Sequence, residues 1–422
     1  MTDIRPRPRK IDIVLLAIIL AFGIFLRLPP EVFAPSGPLH RIAPLHPQPA
    51  FNSTGFDENL YREYVDGLTK GGLGAYPEIV DEYVDHQEKL TGSILPPVRF
   101  LYIFTAYVWC SVFGCDALTA LHQVAAFFSM LTLCLAAVFA WRLRGSFWML
   151  ATTALVAVAP TQIHMSQHAL VDGFFTFWAL LTLWLLWENF RAPRDWRWLT
   201  AYILSLCLLV LTKENSAFVW FGCVTLIVFH RWFRFGAVTR ELLIATILGP
   251  LLGVVILIFL AGGIPTLFET YHLSITKNFT LGYAIRTGDG PWHRYLVDLL
   301  LVSPIILVLA LGGLFRLDRT QKPEWFLSIF IAAGYLVMCN LKYGMNLRYA
   351  NMWDMPLRFL AVSCLVSLVR PLVKYRDLVL GLAIALICAI ELRDYIVLAV
   401  QYPLYELVPE GLLRALHILK GP

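Results

Sequence analysis

The hydrophobic positions of this chain are gathered into long apolar runs that short polar connections separate. Twelve runs are found, at roughly 11–28, 101–113, 118–141, 147–163, 171–187, 198–211, 216–229, 242–261, 296–315, 325–341, 353–369 and 377–398. An apolar run of about 18 residues or more is long enough to cross a bilayer as a helix. The pattern therefore predicts an all-α, polytopic transmembrane helical bundle.

The second run decides the topology. Residues 101–113 provide only about 13 apolar positions, which is typical of an interfacial or re-entrant helix. If this run does not cross and the N-terminus is cytoplasmic, the inside segments carry 18 Lys and Arg residues and the short outer turns carry three. Letting it cross would invert every later loop and violate the positive-inside rule. We therefore predict eleven spans, with the N-terminus cytoplasmic and the C-terminus extracytoplasmic.

This topology predicts one transmembrane domain over 1–422 with two long extracytoplasmic loops, 29–117 and 262–295. The middle of the first loop, 57–90, carries acidic and aromatic residues at helical spacing. That pattern predicts one or two interfacial helices. No internal repeat or soluble C-terminal domain is expected.

The composition agrees with a membrane protein. The chain has 422 residues, of which 58% are hydrophobic and 15% charged, whereas soluble domains carry roughly 25% charged residues. A soluble globular enzyme is therefore excluded. The net charge of +5 follows from the cytoplasmic Lys and Arg of the topology, so we expect no nucleic-acid partner. Cys110 and Cys115 lie on the outer side, where either a disulfide or two free thiols would be stable.

Two adjacent carboxylates, Asp57 and Glu58, open the helical part of the first loop. Neighbouring carboxylates repel each other, which can raise the pKa of one of them and suit it to accept a proton. The alternative is that the two acids only mark the start of a helix, because the helix dipole favours acidic residues in a first turn. The residues alone leave both interpretations open.

A second group surrounds Asp172, at the outer end of the run 171–187. If this stretch is a continuous helix, His164, His168 and Asp172 stand four residues apart and share a face. They would then form a ligand set or a hydrogen-bond chain, and the alternative is an interfacial cap. A further acidic cluster on this side of the membrane is interpreted mostly as a solvated helix face. Its members are Asp81, Glu82, Asp85, His86 and Glu88.

Three cations, Lys213, Lys342 and Arg348, lie in short outer turns. The first outer loop, which they would face, carries acidic residues that have no assigned partner. Such cations would suit a substrate that carries a phosphate. The alternative is that they are ordinary exposed cations without a specific role. The loop 262–295 adds further polar residues, namely His272, Lys277, Arg286, Asp289 and His293. No P-loop, dinucleotide-binding glycine fingerprint, GxSxG elbow or cysteine zinc spacing occurs.

The order of these motifs resembles the GT-C superfamily of membrane glycosyltransferases, in particular the branch of protein O-mannosyltransferases and the lipid A aminoarabinose transferase. The matching positions run from about 11 to 370. They are Arg27-Leu28 at the end of the first span, Asp57-Glu58 followed by Tyr61, Pro96-Pro97, Asp172, Thr212-Lys213, Pro291-Trp292-His293-Arg294-Tyr295 and Arg348-Tyr349. Two positions depart from the family pattern: no histidine precedes Pro96, and Gln167-His168 stand where relatives often carry an arginine.

The resemblance implies an inverting transfer of a sugar from a polyprenyl-phosphate donor to an acceptor hydroxyl on the extracytoplasmic side. Asp57 would be the general base, and Glu58 and Asp172 would orient the acceptor or Asp57. The implied donor-phosphate ligands are Lys213, Arg348 and Tyr349, and the implied substrate contacts are Tyr61, His168 and His293. The helix 101–113 would line the path of the lipid. A divalent metal ion is compatible with this scheme but is not required.

The resemblance leaves the sugar open, and it leaves the acceptor open among a protein, a glycolipid and a polysaccharide. The short loops favour a bacterial cytoplasmic membrane. A transporter of an anionic lipid or solute is an alternative, and it would need ionisable groups at the midplane and inverted halves. An O-antigen type ligase or polymerase is another, but it would place Arg and His residues in a late outer loop. A purely structural membrane subunit is a further alternative, but such a protein would not need acidic residues that face basic ones.

Overall fold

The chain is helical throughout the residues that the computed structural model describes, which are 8–48, 54–371 and 374–419. Nineteen α-helices form in these ranges, and no β-strand does. In chain order they are α1 (Lys10–Arg27), α2 (Phe56–Gly71), α3 (Tyr76–Lys89), α4 (Phe100–Phe113), α5 (Ala117–Arg144), α6 (Ser146–Ala157), α7 (Pro160–Ser166), α8 (Val171–Arg191), α9 (Trp196–Val210), α10 (Ser216–Phe233), α11 (Arg240–Leu260), α12 (Ile264–Asn278), α13 (Gly282–Thr287), α14 (Arg294–Val302), α15 (Pro304–Leu314), α16 (Lys322–Met338), α17 (Asp354–Val369), α18 (Arg376–Tyr395) and α19 (Glu410–Ala415). The all-α class predicted from the sequence is confirmed.

Five helical segments are long and apolar enough to cross a membrane, and a sixth is added if α6 and α7 count as one bent span. The five are α5, α8, α10, α11 and the segment Leu347–Val369. This finding supports an integral membrane protein, while the count of eleven spans and the topology stay predictions. Helix α4 has 14 residues and is about 21 Å long at 1.5 Å per residue, shorter than the ~30 Å hydrocarbon core.

Each of the twelve apolar runs is helical, and two of them are interrupted at a proline. The run 147–163 divides into α6 and α7, which are bent by 58°, and the run 296–315 divides into α14 and α15. Pro160 and Pro304 each begin the second helix. Proline lacks an N–H and disfavours a helical conformation in the residue before it. The breaks let α7 and α14 turn toward the candidate site.

The buried Arg27 closes the break after α6. Its guanidinium donates hydrogen bonds to the carbonyl oxygens of Val156 at 2.7 Å and Ala157 at 2.8 Å. The last carbonyls of a helix have no partner within that helix, so Arg27 satisfies groups that would otherwise be buried without one. This contact joins α1 to the α6–α7 corner.

Close helix packing holds the bundle together around small residues. In α11, Gly249 and Gly253 face α9, where an added Cβ would lie 2.7 Å from Leu206 Cβ and 2.7 Å from the Cys207 carbonyl oxygen, respectively. Small residues four apart let two membrane helices approach closely. Most of the core lies among α5, α6, α8, α16 and α17, and a second cluster joins α2 and α4 to the N-terminal ends of α5 and α8.

The two predicted outer loops form one layer. Helices α2 and α3 lie in the first loop, as the helical spacing of 57–90 predicted, and α12 of the second loop packs against α3. Lys277 Nζ donates to the Glu88 carbonyl oxygen at 3.0 Å, and the Thr280 hydroxyl donates to the Thr91 carbonyl oxygen at 2.5 Å. This layer carries Asp57 and Glu58 to the ends of the bundle helices.

Candidate active site

The acidic pair at the start of α2 diverges into two environments. Glu58 Oε2 accepts a hydrogen bond from the Gly55 backbone N–H at 2.6 Å, which satisfies a free donor of the first turn. Asp57 points the other way and pairs with Arg348, its Oδ2 lying 3.1 Å from Nη2. The helix-start interpretation therefore describes Glu58, whereas the contact of Asp57 is a basic side chain from a distant part of the chain.

The buried Glu58 carboxylate accepts hydrogen bonds from the residues that connect α7 to α8. Its Oε1 lies 3.0 Å from His168 Nδ1 and accepts the Ala169 backbone N–H at 3.0 Å. Burial alone would raise the pKa of the Glu58 carboxyl, but hydrogen bonds from His122 and His168 outweigh it and hold that pKa well below its usual range. Glu58 is therefore ionised at neutral pH. His122 also lies 2.8 Å from Glu31 Oε1 through Nδ1.

The continuous helix that would have aligned His164, His168 and Asp172 on one face does not form. Helix α7 ends at Ser166 and α8 begins at Val171. The physical reason is that Glu58 takes the Ala169 N–H, which a continuous helix would have used for its own hydrogen bond. The His164 and His168 rings still pack together, with centroids 4.5 Å apart, whereas Asp172 faces a different partner.

Four side chains, two acidic and two basic, form an alternating line at the end of the bundle where α8 begins. Asp172 Oδ1 lies 2.5 Å from Lys213 Nζ, and Asp172 Oδ2 lies 4.0 Å from Arg348 Nε. Arg348 in turn holds Asp57. The order along the line is Lys213, Asp172, Arg348 and Asp57, which come from the α9–α10 turn, α8, the segment before α17 and α2.

Tyr349 adds an aromatic face to this line. Lys213 Nζ lies 4.0 Å from the ring centroid, and the Arg348 guanidinium carbon lies 5.5 Å from it. The negative ring face attracts both cations and holds them near each other without neutralising them. The three residues predicted to bind a donor phosphate are therefore brought together.

The charge of Lys213 is sensitive to its surroundings. Its side chain is buried, and burial lowers the pKa of its ammonium group to about 8 although Asp172 acts in the opposite direction. A lysine in this state loses its proton within reach of physiological pH. A bound anion would favour the charged form.

A buried arginine that the sequence analysis did not single out supports Tyr61. Arg99 Nη1 donates to the Tyr61 hydroxyl oxygen at 2.7 Å, and the same guanidinium forms a two-point contact with Glu214, next to Lys213 in the chain. Tyr61 is fully buried, so its contact is with Arg99 and the aromatic core. In the sequence, the pairing of Arg99 with Glu214 was indicated by no more than the charge of Glu214 next to Lys213.

Other predicted residues lie away from the line. His293 precedes α14 and packs its ring on Trp292 at 5.4 Å between centroids, and it stays a predicted substrate contact. Lys342 is exposed, with its ammonium 5.0 Å from the Tyr343 ring. The solvated face predicted for α3 is confirmed, because Asp81, Glu82, Asp85, His86 and Glu88 are exposed. Cys110 and Cys115 are free thiols.

The end of the chain contributes residues that no sequence motif marked. His164 Nε2 lies 2.9 Å from the Tyr405 carbonyl oxygen, and the Tyr405 ring lies 4.9 Å from the His168 ring. The next residue, Glu406, accepts a hydrogen bond from the Tyr283 hydroxyl at 2.8 Å. This segment therefore covers the histidines and reaches the second outer loop.

The arrangement is suited to an anionic substrate. Lys213 and Arg348 can both contact a phosphate oxygen, and a carboxylate able to accept a proton stands beside Arg348. Among the residues that the structure describes, no group of three or more His, Cys, Asp and Glu side chains could hold a metal ion.

A family model described as dolichyl-phosphate-mannose-protein mannosyltransferase matches residues 111–275. No curated protein sequence matches the chain. The fold is similar to that of ArnT from Cupriavidus metallidurans bound to undecaprenyl phosphate, at 15% identity and a TM-score of 0.50 over 84% of this chain and 60% of that one.

Two structures from Archaeoglobus fulgidus are also similar. An oligosaccharyltransferase tethered with an acceptor peptide has 13% identity and a TM-score of 0.60 over 97% of this chain and 57% of that one. The oligosaccharyltransferase AglB in complex with an inhibitory peptide and a dolichol-phosphate has 12% identity and a TM-score of 0.55 over 95% of this chain and 56% of that one.

The chain spans less than two thirds of the length of these structures, and at such identities the similarity establishes the fold. Together with the family match, it confirms the resemblance to membrane glycosyltransferases of the GT-C superfamily.

Proposed function

We propose that the protein transfers a sugar from a polyprenyl-phosphate donor to an acceptor hydroxyl, with inversion at the anomeric carbon, on the extracytoplasmic side of the membrane. The observation that carries the proposal is the line of Lys213, Asp172, Arg348 and Asp57, in which two cations lie beside two carboxylates. The undecaprenyl phosphate and dolichol-phosphate in two structures of the same fold support a lipid-phosphate donor for this chain.

In the proposed reaction Asp57 accepts the proton of the acceptor hydroxyl as the oxygen attacks the anomeric carbon. The bond between that carbon and the phosphate oxygen breaks, and polyprenyl phosphate leaves. Lys213 and Arg348 stabilise the negative charge that grows on the phosphate. The sugar passes through an oxocarbenium-like state, which the nearby carboxylates favour electrostatically.

Asp172 and Glu58 have positioning roles in this proposal. Asp172 holds the Lys213 ammonium and lies near Arg348, so it fixes the separation of the two cations. Glu58 fixes the α7–α8 break and the first turn of α2, from which Asp57 projects. The proposed location is the bacterial cytoplasmic membrane, with the site facing outward.

The test is incubation of the purified protein with radiolabelled polyprenyl-phosphate sugars and an acceptor extract, following release of free polyprenyl phosphate. Release by the wild type that Asp57→Asn abolishes supports the proposal. Glu63→Gln is the matched control, because Glu63 is an exposed acid on the same helix. No release from any donor by folded protein would overturn the proposal and favour a transporter or a ligase.

A further inference from the structure

A cavity of about 190 Å³ is lined in part by Arg348. It is small compared with the roughly 300–1,000 Å³ of pockets for drug-sized ligands. Its polar wall combines cationic, acidic and neutral side chains from four segments of the chain. The polar residues that the argument uses are Thr287, Arg294, Asp298, Asn346, Arg348 and Glu406.

The wall contains buried polar atoms without a hydrogen-bond partner. Among the lining residues they are Asp298 Oδ1, Arg294 Nε, Arg348 Nε and His164 Nδ1, of which Arg348 Nε lies 4.0 Å from Asp172 Oδ2. Arg294 Nε lies 3.6 Å from Asp298 Oδ2, so this ion pair leaves hydrogen-bonding capacity on both partners. Buried polar groups are costly when unpaired, and Asp298, Arg294 and His164 all line the same small space. A ligand that both donates and accepts would satisfy them.

A segment near the end of the chain forms part of the cavity wall. Residues 402–413, which we call the C-terminal strap, contribute Glu406 and the apolar Leu407, Val408 and Leu413 to the lining. The Tyr283 hydroxyl donates to Glu406 Oε1 at 2.8 Å, which directs this carboxylate. The strap therefore adds a second acid to the wall, next to apolar residues of the same segment.

The wall carries charges of both signs. Arg294 and Arg348 line it together with Asp298 and Glu406, and outside this set Arg348 also pairs with Asp57 and Glu410 with Arg414. A wall with both donors and acceptors matches hydroxyl groups, each of which both donates and accepts. It does not match a strongly charged ligand, which would leave one pair of wall residues without compensation. The chemistry fits one neutral sugar ring.

We propose that this cavity receives the sugar of the lipid-linked donor, and that Asp298 and Glu406 determine which sugar is accepted. The inference rests on the proposed function, because a phosphate held by Lys213 and Arg348 puts the sugar it carries next to Arg348. The acceptor is the less suitable occupant, because a protein, glycolipid or polysaccharide would extend beyond a space of about 190 Å³.

The experiment compares binding of two classes of lipid to the full-length protein. One is polyprenyl phosphate alone, and the other is the same lipid carrying mannose, glucose, galactose or arabinose. The sugar contribution is the ratio of the Kd for the bare lipid phosphate to the Kd for the preferred sugar-bearing lipid. We expect Asp298→Asn and Glu406→Gln to reduce this ratio by about tenfold or more, the effect of one hydrogen bond to a charged group.

The same variants should bind bare polyprenyl phosphate within about twofold of the wild type, since Lys213 and Arg348 are unchanged. Glu269→Gln is the control, because Glu269 is a partly exposed acid of α12 whose contact is His272 at 3.5 Å. Asp298 is almost fully buried, so Tyr283→Phe provides a milder variant. It removes only the hydroxyl that directs Glu406 and should reduce the ratio by about threefold.

Equal weakening for both classes of lipid would overturn the inference, because it would make the wall a phosphate ligand or a structural element. An unchanged ratio in Glu406→Gln and Tyr283→Phe would also overturn it. A wild type that binds neither class would overturn the proposed function itself. A wild type that binds both classes equally would overturn only the sugar site.

Discussion

Arg348 donates a hydrogen bond from Nη2 to Asp57 Oδ2 over 3.1 Å, although 291 positions separate the two residues in the chain. The same guanidinium approaches Asp172 through Nε at 4.0 Å. An anionic phosphate would compete with Asp57 for Arg348. Binding of the donor would therefore release the carboxylate that is proposed to accept the acceptor proton, so the base becomes free only when the sugar is in place.

This competition makes Asp57 and Arg348 separable by mutation. Asp57→Asn should reduce turnover by about 10²–10⁴-fold, the usual contribution of a general base, and leave donor binding within a few-fold because Arg348 loses a competitor. Arg348→Ala should reduce turnover and also weaken donor binding by about 10–100-fold. The measurements are single-turnover release of polyprenyl phosphate and the Kd of the donor.

Glu63→Gln serves as the control for both variants, since this exposed residue has no place in the site. Equal losses of donor binding in Asp57→Asn and Arg348→Ala would argue against Asp57 as the base. They would instead assign both residues to the binding of the phosphate.

Donor binding should depend on pH through Lys213. Burial lowers the pKa of this ammonium group to about 8, against the raising effect of Asp172. The charged form is therefore present below about pH 8 and is lost above it, so donor affinity should fall with rising pH and approach a roughly tenfold loss per unit. Titration of the donor Kd from pH 6.5 to 9.5, in steps of about half a unit, measures this dependence.

Lys213→Arg distinguishes this group from others, because an arginine keeps its charge over the whole range. Its donor affinity should be lower at neutral pH, owing to the different shape of the guanidinium, but almost independent of pH. A profile that falls equally in both proteins would assign the titration to another residue.

The helical architecture could be predicted because hydrophobic periodicity and length are local properties. Each apolar run became a helix, but the breaks at Pro160 and Pro304 were not anticipated inside runs that are apolar throughout. The number of spans depends on how each helix lies in a bilayer. Helices as short as α4 and α9 leave that number as a prediction.

The candidate site could be predicted only in part. Charge and order along the chain indicated that Asp57, Asp172, Lys213 and Arg348 belong to one face, and the structure brings them together. Which acid meets which cation depends on long-range packing. The break between His164 and Asp172 depends on such packing too, since Glu58 lies 111 positions from the Ala169 N–H that it accepts.

Glu58→Gln should affect stability more than chemistry. The carboxylate accepts three close contacts in a buried position, and a neutral amide cannot replace them all, so we expect a loss of about 1–3 kcal/mol. The pKa of Glu58 is depressed in the folded protein. Its stabilising effect is therefore present above the unfolded pKa of roughly 4.3 and is lost as the pH falls through the folded value.

Thermal unfolding of the wild type and Glu58→Gln between about pH 3 and 7 measures this effect. The difference in Tm should be largest near neutral pH and shrink in acid. An unchanged Tm together with a turnover loss as large as that of Asp57→Asn would instead give Glu58 a direct role in the reaction.

Gly55 and Tyr405 offer a test of how the C-terminal strap lies on the first turn of α2. A Cβ added at Gly55 would lie 2.6 Å from the Tyr405 hydroxyl oxygen, so this half-buried ring would have to shift. Gly55→Ala should therefore destabilise the protein by about 1–3 kcal/mol, as overpacking does. In a Tyr405→Ala background the same change should be neutral or stabilising by about 0.4–1 kcal/mol, because φ at Gly55 is −64° and alanine restricts the unfolded chain.

Thermal unfolding of the four proteins of this cycle measures the sign change. Gly74→Ala is the control, because a Cβ added at Gly74 meets nothing within 4 Å. The same cost of Gly55→Ala in both backgrounds would show that the strap does not rest on Gly55, and the position of the strap in the cavity wall beside Arg348 would lose its support from this contact.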